Sequence, residues 1–253
     1  MVFQPDQDHL DQHFLIDRKL EARFIKEASL KESDVVIEIG PGLGNITKLV
    51  AASVKKLYSI EIDLRLKKDL EVLAKKHSNL ELIFANVLKI KLPKANKLIS
   101  ALPYSIIEPL MNKLVYEEID EILLITGKNF AKKLKDNNTK LALLVNSYYQ
   151  VEELEEIPSE AFKPKPRVLS SMIRLRTKTN PSRIDLIMRE IFFYKYKLLK
   201  NAIIESLIEV DQLTKREAKE KLLSLELNYL DKKIDNLSNL EYKNLYKKLQ
   251  MMK

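Results

Sequence analysis

The chain has 253 residues and a formal net charge of +8, with 45% hydrophobic and 32% charged residues, no cysteine and no tryptophan. That length fits one large domain, or a large one with a small companion, and the missing thiols exclude disulfides, thiolate zinc sites and a cysteine nucleophile. With only His9, His13 and His77 to supply imidazole no metal centre is expected, and with no long uncharged apolar run and a polar start at Gln4, Asp6, Gln7 and Asp8, neither a membrane span nor a signal peptide is expected, which predicts a cytoplasmic protein.

In chain order, the pattern predicts a helix over Arg18 to Ala28, then a buried parallel strand over the apolar run Val35 to Ile39, then a helix over Leu43 to Val50. Between the strand and the second helix lies Gly40-Pro41-Gly42-Leu43-Gly44, which holds three of the chain's four glycines. Glycine there lets a ligand lie against bare main chain near a helix N-terminus; an ordinary tight turn is the plainer alternative. The next strand, Leu57 to Ile60, ends at Glu61, where a Rossmann-like sheet places its acceptor for ribose hydroxyls. The dinucleotide fingerprint is G-x-G-x-x-G, whereas this loop is G-x-G-x-G with Glu38 two residues ahead of it. The variant points to S-adenosylmethionine, which has no pyrophosphate to cradle, and disfavours an NAD-dependent oxidoreductase.

Farther along, Leu64 to Lys76 predicts an amphipathic helix and Leu80 to Phe84 a strand. A short strand, Lys97 to Ser100, runs into Ala101-Leu102-Pro103-Tyr104, followed by a helix over Ile107 to Tyr116, a strand over Ile122 to Thr126 and a short basic helix over Asn129 to Leu134. Leu141 to Tyr149 and Ser171 to Leu175 read as two more strands. The βα alternation predicts an α/β fold, a mainly parallel Rossmann-like sheet with helices on both faces.

The pattern changes across Thr177 to Ser182, and beyond it apolar residues recur at helical spacing, as in Ile184, Ile187 and Ile191 or Leu245 and Leu249. The expected division is therefore 1–178 for the sheet domain and 179–253 for a small all-helical C-terminal domain. Residues 181–253 carry 15 Lys and Arg against 11 Asp and Glu, a net of +4 on 73 residues against +4 on the other 180, so net positive charge is about twice as dense there as in the rest of the chain. From Lys163 to Arg183 there are seven bases and no acid. Such a run is either a solvated face or a contact for a polyanion, and nucleic acid is the natural candidate.

Chemistry enters at Ala101-Leu102-Pro103-Tyr104. Enzymes that methylate exocyclic base amines place a polar residue, a proline turn and an aromatic at the end of the fourth strand. The N6 lone pair of adenine is delocalised into the ring, so acceptors on its N–H groups must draw the nitrogen toward tetrahedral geometry while an aromatic stacks the extruded base. Tyr104 can be that platform, and the backbone carbonyls of Ala101 or Leu102 can be acceptors.

These motifs together resemble the KsgA-type ribosomal RNA adenine dimethyltransferases, relatives of the Erm resistance methylases. The likeness begins at Gln12-His13-Phe14-Leu15-Ile16-Asp17 and continues through Glu38 to Gly44 and Ile60-Glu61-Ile62-Asp63. It returns at Ala161-Phe162-Lys163-Pro164-Lys165-Pro166-Arg167-Val168 with Ser170, and closes on the basic segment Lys195 to Ala202.

The resemblance implies S-adenosyl-L-methionine as cofactor. Gln12, His13 and Leu15 would then line its methionine end, Gly40 and Gly42 its floor, and Glu61 would hold the ribose hydroxyls. Asn86, where the family usually has aspartate, would meet the adenine amino group, and Ala101 would border both cofactor and substrate. The catalytic set implied is Ala101, Leu102, Pro103 and Tyr104, with Phe162 closing the second face of the target base. Lys163, Lys165, Arg167, Lys195, Lys197 and Lys200 would bind RNA. Asn86 read simply as a turn residue, and Phe14 and Phe162 read as core aromatics, are the alternatives. The implied activity is N6 dimethylation of two adjacent adenosines near the 3′ end of small-subunit (16S) rRNA by a monomeric enzyme during ribosome assembly, without metal or general base.

Several positions depart from the family. Ala101 stands where it has asparagine, and loss of one preorganised hydrogen bond lowers a rate by about 10²-fold. Ser100 is adjacent, but strand alternation predicts that it points away. Asp11 replaces a usual glycine, Gly127-Lys128-Asn129 replaces Gln-Lys-Glu, and Thr139 to Leu143 lacks Tyr-Gly-Arg-Leu-Ser. The alternative function is a catalytically impaired ribosome-assembly factor that keeps RNA docking; Ala101 favours it, and the intact glycine loop with Glu61 opposes it.

Overall fold

The computed structural model describes residues 12–101 and 104–252, with Tyr104 described by its backbone alone. Asp11, Leu102 and Pro103 lie outside the described residues.

The first half alternates as expected: β1 (Phe14–Leu15), α1 (Arg18–Glu27), β2 (Val35–Ile39), α2 (Asn45–Ala51), β3 (Lys56–Glu61), α3 (Lys67–Ala74), β4 (Leu80–Phe84) and β5 (Lys97–Ala101). It continues with α4 (Ile107–Leu114), β6 (Glu121–Gly127), α5 (Lys128–Asp136), α6 (Lys140–Tyr148), β7 (Tyr149–Ile157), β8 (Phe162–Lys163) and β9 (Ser170–Thr177). Four further helices follow: α7 (Arg183–Phe193), α8 (Leu199–Asp211), α9 (Lys215–Ser224) and α10 (Asn239–Met251).

Seven strands form one sheet in the order β4-β3-β2-β5-β6-β9-β7. The pairs β4–β3, β3–β2, β2–β5 and β5–β6 are parallel, and β9 runs antiparallel to β6. From β2 the chain winds outward through β3 to β4, then returns to place β5 on the other side of β2. That reversal opens a crevice at the C-terminal ends of the strands, where α/β sheets bind ligands. Ile39 lies in register with both Ile60 and Ser100, so β2, β3 and β5 end side by side. The sheet is held by strands apolar on both faces: Val36, Ile37, Leu57, Leu98 and Ile99 are all buried.

One expected strand is a helix. Leu141 to Tyr149 belongs mostly to α6, whose start is capped by Thr139, the side chain accepting from the Ala142 N–H at 3.1 Å. Ala142, Leu143, Leu144, Val145 and Ser147 are all buried, so the helix has no polar face from which its period could be read. The strand lies just beyond it, in β7.

The fold divides into two compact units, one spanning Met1–Ala131 with Val151–Arg176 and the other Lys132–Gln150 with Thr177–Lys253. The second unit thus takes in α6, which packs against α7 and α10. Phe192 stacks on Tyr242 with ring centroids 5.6 Å apart, and Ile203, Leu207, Leu245 and Leu249 of the same unit are fully buried. Reciprocal capping boxes start three of its helices, at Ser182 with Asp185, Thr214 with Glu217 and Ser238 with Glu241.

Candidate cofactor-binding and active site

A cavity of about 430 Å³ opens at the ends of β2, β3 and β5. Its floor is the glycine loop, where Gly40, Gly42 and Gly44 all have positive φ, at 68°, 56° and 78°. A Cβ at Gly40 would meet no atom within 4 Å, so this stretch of main chain faces open space beside the cavity. Gly44, in the left-handed region, is the residue from which α2 starts, slightly later than the expected Leu43.

Glu61 ends β3 at the cavity and is almost fully buried. Its Oε1 accepts from the Ile62 and Asp63 N–H groups, both at 2.8 Å, whereas its Oε2 takes one longer bond of 3.3 Å from Gly42. Oε2 therefore keeps acceptor capacity for ligand hydroxyls. Burial pushes the Glu61 carboxyl above the usual carboxylate range, against the three backbone donors. One strand over, Glu38 is fully buried and accepts from the Ser59 hydroxyl at 2.7 Å. Burial, reinforced by the charge of Glu61, pushes it up to about 7.

Gln12, His13, Phe14 and Leu15 also line the cavity. They are held there by the segment that carries the late proline-rich motif: Phe14 pairs with Lys163 and Leu15 with Phe162 across β1 and β8. His13 Nδ1 lies 2.9 Å from the Pro164 carbonyl oxygen, which can only accept, so Nδ1 carries the proton. Gln12 Nε2 donates to Asp63 Oδ2 at 3.2 Å, and the buried Gln12 Oε1 has no partner.

Asp63, which closes the Ile60-Glu61-Ile62-Asp63 motif, has a structural role that the motif does not announce. It caps the short turn Leu64–Leu66, takes two bonds of 2.8 Å from the Arg65 guanidinium, which holds its carboxyl low, and so anchors Gln12. Its position two residues after Glu61 is the only local signal.

Asn86 lines the cavity while its Oδ1 accepts from the Leu88 N–H at 2.9 Å, so the turn and cavity roles coexist. Ala101 and Ser100 both border the cavity, and the Ser100 hydroxyl donates to the Ile39 carbonyl, consistent with its side chain being occupied elsewhere. Phe162 is only 4% exposed, sits in the hydrophobic core with Leu15 and Phe24, and is not a lining residue. A second stacking face from Phe162 would require that ring to leave the core.

The basic run from Lys163 to Arg183 divides on folding. Arg174 is buried among Glu27, Glu121 and Glu152, Arg176 pairs with Glu121, Lys178 with Asp185 and Arg183 with Asp211. Four of its seven cations are thus internal ties, because acids from elsewhere in the chain fold against them. Lys163, Lys165 and Arg167 remain exposed, Lys165 beside Glu160. In the helical unit Lys197 pairs with Glu205 and Lys200 with Asp231, while Lys195 lies over the Tyr196 ring.

The cavity's chemistry tests which nucleoside ligand fits. Glu38 and Glu61 line it, and no Lys or Arg does among the described residues. Such a wall offers no cation to pair with a pyrophosphate, and its acceptors suit a ligand that carries ribose hydroxyls and a sulfonium charge. No helix of the described residues is long and apolar enough to cross a membrane, and no group of three or more His, Asp or Glu side chains among them could hold a metal ion.

A family model described as ribosomal RNA adenine dimethylase matches residues 6–250. A probable ribosomal RNA small subunit methyltransferase A of Thermococcus sibiricus is 34% identical over 213 residues, 80% of this chain and 77% of the relative. Among solved structures, a dimethyladenosine transferase from Plasmodium falciparum superposes with a TM-score of 0.66 at 24% identity, over 92% of this chain and 95% of that one. The 23S rRNA methyltransferase ErmE gives a TM-score of 0.63 at 24% identity, over 94% of this chain and 100% of that one, so both share the fold. By its match from end to end and by the cavity built on its glycine loop, the chain belongs to the ribosomal RNA adenine dimethylase family of S-adenosylmethionine-dependent methyltransferases.

Proposed function

We propose that this chain dimethylates N6 of two adjacent adenosines near the 3′ end of small-subunit rRNA, as a cytoplasmic monomer acting during ribosome assembly. The observation that carries this reading is the cavity itself: Glu38, Glu61 and Ala101 line it, and no Lys or Arg does among the described residues. The name of the Thermococcus sibiricus relative supports the small subunit as the source of the RNA.

S-adenosylmethionine supplies an electrophilic sulfonium methyl. Of the residues present, Glu61 Oε2 would hold its ribose hydroxyls, Asn86 would accept from its adenine amino group, and Gln12, His13 and Leu15 would line its methionine end. Main-chain carbonyls from Ala101 and Leu102 accept from the target amine, and Tyr104 after Pro103 stacks the base. The small side chain of Ala101 leaves room for an amine that already bears a methyl group. Lys163, Lys165 and Arg167 position the RNA backbone, as do Lys195, Lys197 and Lys200 in a helical RNA-binding domain from residue 179 onward.

The test is nucleoside mass spectrometry of small-subunit particles that lack the modification, after incubation with the protein and S-adenosylmethionine. Dimethyladenosine in the 3′-terminal RNA fragment is expected. Methylation of another base, or of none, overturns the assignment.

A further inference from the structure

Two aromatic rings stand exposed on the second unit. Phe193, the last residue of α7, is 69% exposed, and Tyr196, in the link to α8, is 74% exposed. Their neighbour Phe192 is buried in the core. The exposed Phe and the exposed Tyr are three positions apart on a short segment rich in lysine, each leaving apolar ring surface in water.

The segment carries Lys195, Lys197 and Lys200, of which Lys197 pairs with Glu205 and Lys200 with Asp231, and its main chain is tied down. The carbonyls of Lys195 and Lys197 accept from the Asp235 and Ile234 N–H groups at 3.2 and 3.1 Å, and the Lys197 N–H returns to the Tyr194 carbonyl at 2.8 Å. Phe193 meets Tyr194 edge to face with centroids 5.2 Å apart. Lys197 Nζ, which also pairs with Glu205, lies 4.0 Å from the centre of the Tyr194 ring, and Lys195 Nζ lies 5.1 Å from that of Tyr196, so two rings of the segment have an ammonium group beside them. A protein partner would favour an apolar patch depleted of charge, whereas an unpaired polynucleotide offers both phosphates for the lysines and π-faces for the rings.

We propose that Phe193 and Tyr196 are a stacking platform for unpaired bases of RNA. The platform rests on the reading that this chain docks rRNA, but it requires no methyl transfer. It distinguishes unpaired from duplex RNA, because paired bases have no free faces to offer.

The experiment measures binding of the full chain, without S-adenosylmethionine, to a short labelled polyuridine and to a blunt RNA duplex of equal length, across a salt series. Phe193→Ala with Tyr196→Ala is expected to weaken polyuridine binding about ten-fold or more, leaving its salt dependence and the duplex affinity unchanged. Phe193→Tyr with Tyr196→Phe, which keeps both rings, is expected to bind as the natural chain does. Equal losses on both probes, no loss on either, or failure of the natural chain to bind polyuridine overturns the platform. Loss of binding to anionic phosphatidylglycerol vesicles with RNA affinity intact would assign the rings to a lipid surface and overturns it too. An inactive enzyme that still shows the polyuridine loss leaves the platform standing, so the two readings fail separately.

Discussion

The Phe14 ring packs so closely on Gly42 that a Cβ there would stand 3.1 Å from Phe14 Cδ1 and 3.2 Å from Cε1. Phe14 is also the residue through which β1 pairs with Lys163 in β8. The cofactor loop, the N-terminal motif and the late proline-rich motif therefore form one packed wall, and a change in any of them is felt at the cavity.

Gly42→Ala should disturb that wall in two ways. Its φ of 56° strains any L-residue by about 1 kcal/mol, and the new methyl group must displace the Phe14 ring. Calorimetric titration is expected to show S-adenosylmethionine binding weakened by about ten-fold, with a small drop in melting temperature. Unchanged affinity would mean that the cofactor does not lie on this loop.

Glu61→Ala removes the acceptor whose Oε2 is left for the ribose. Hydrogen bonds to a charged acceptor contribute about 1.5–3 kcal/mol each, so cofactor affinity should fall by about 10- to 100-fold. RNA affinity measured in parallel should stay near normal. A large loss of RNA binding instead would remove Glu61 from the ribose role.

Glu38 predicts a pH dependence. Its carboxyl is pushed from the ordinary 4.5 up to about 7, so between those values the folded chain holds a proton that the unfolded chain releases. The stability it contributes is fully present below pH 4.5 and is lost as pH rises through 7. Melting temperatures across that window should therefore fall less in Glu38→Gln than in the natural chain, because the amide cannot ionise and still faces Ser59. Parallel pH profiles for the two proteins would show that Glu38 is not the group responsible.

Much of this was legible in the sequence, for identifiable reasons. β2, β3, β5 and β6 are largely buried and so read as apolar runs, and the glycine loop betrayed itself because three closely spaced positive φ angles favour glycine. The helix α6 was hidden by burial all round. Its neighbour β7 was hidden by its acids: Glu152, Glu153, Glu155 and Glu156 suggest a solvated stretch, yet they meet Arg174, Ser171, Arg23 and Lys128 from other parts of the chain. The same pairing across the fold made the run of seven bases look freer than it is. At the site, the tie from Gln12 to Asp63 joins residues whose proximity no local pattern encodes.

The exposed basic segment gives a salt-dependent prediction. Lys163→Glu with Arg167→Glu should weaken RNA binding and flatten its salt dependence, by about 0.7–0.9 in logarithmic slope for each phosphate that is no longer neutralised. Arg174 is excluded from that test because it is buried among acids and its replacement would destabilise the fold. An unchanged slope would return Lys163 and Arg167 to an ordinary solvated face.

The most direct measurement is transfer of labelled methyl from S-adenosylmethionine to small-subunit particles lacking the modification, with the natural chain and Ala101→Asn side by side. The natural chain is expected to label adenosine, main-chain acceptors sufficing, and Ala101→Asn to do so faster, by up to about 10²-fold. No label from the natural chain, with transfer appearing only in Ala101→Asn, would contradict the account and leave an RNA-binding scaffold with a disabled active site.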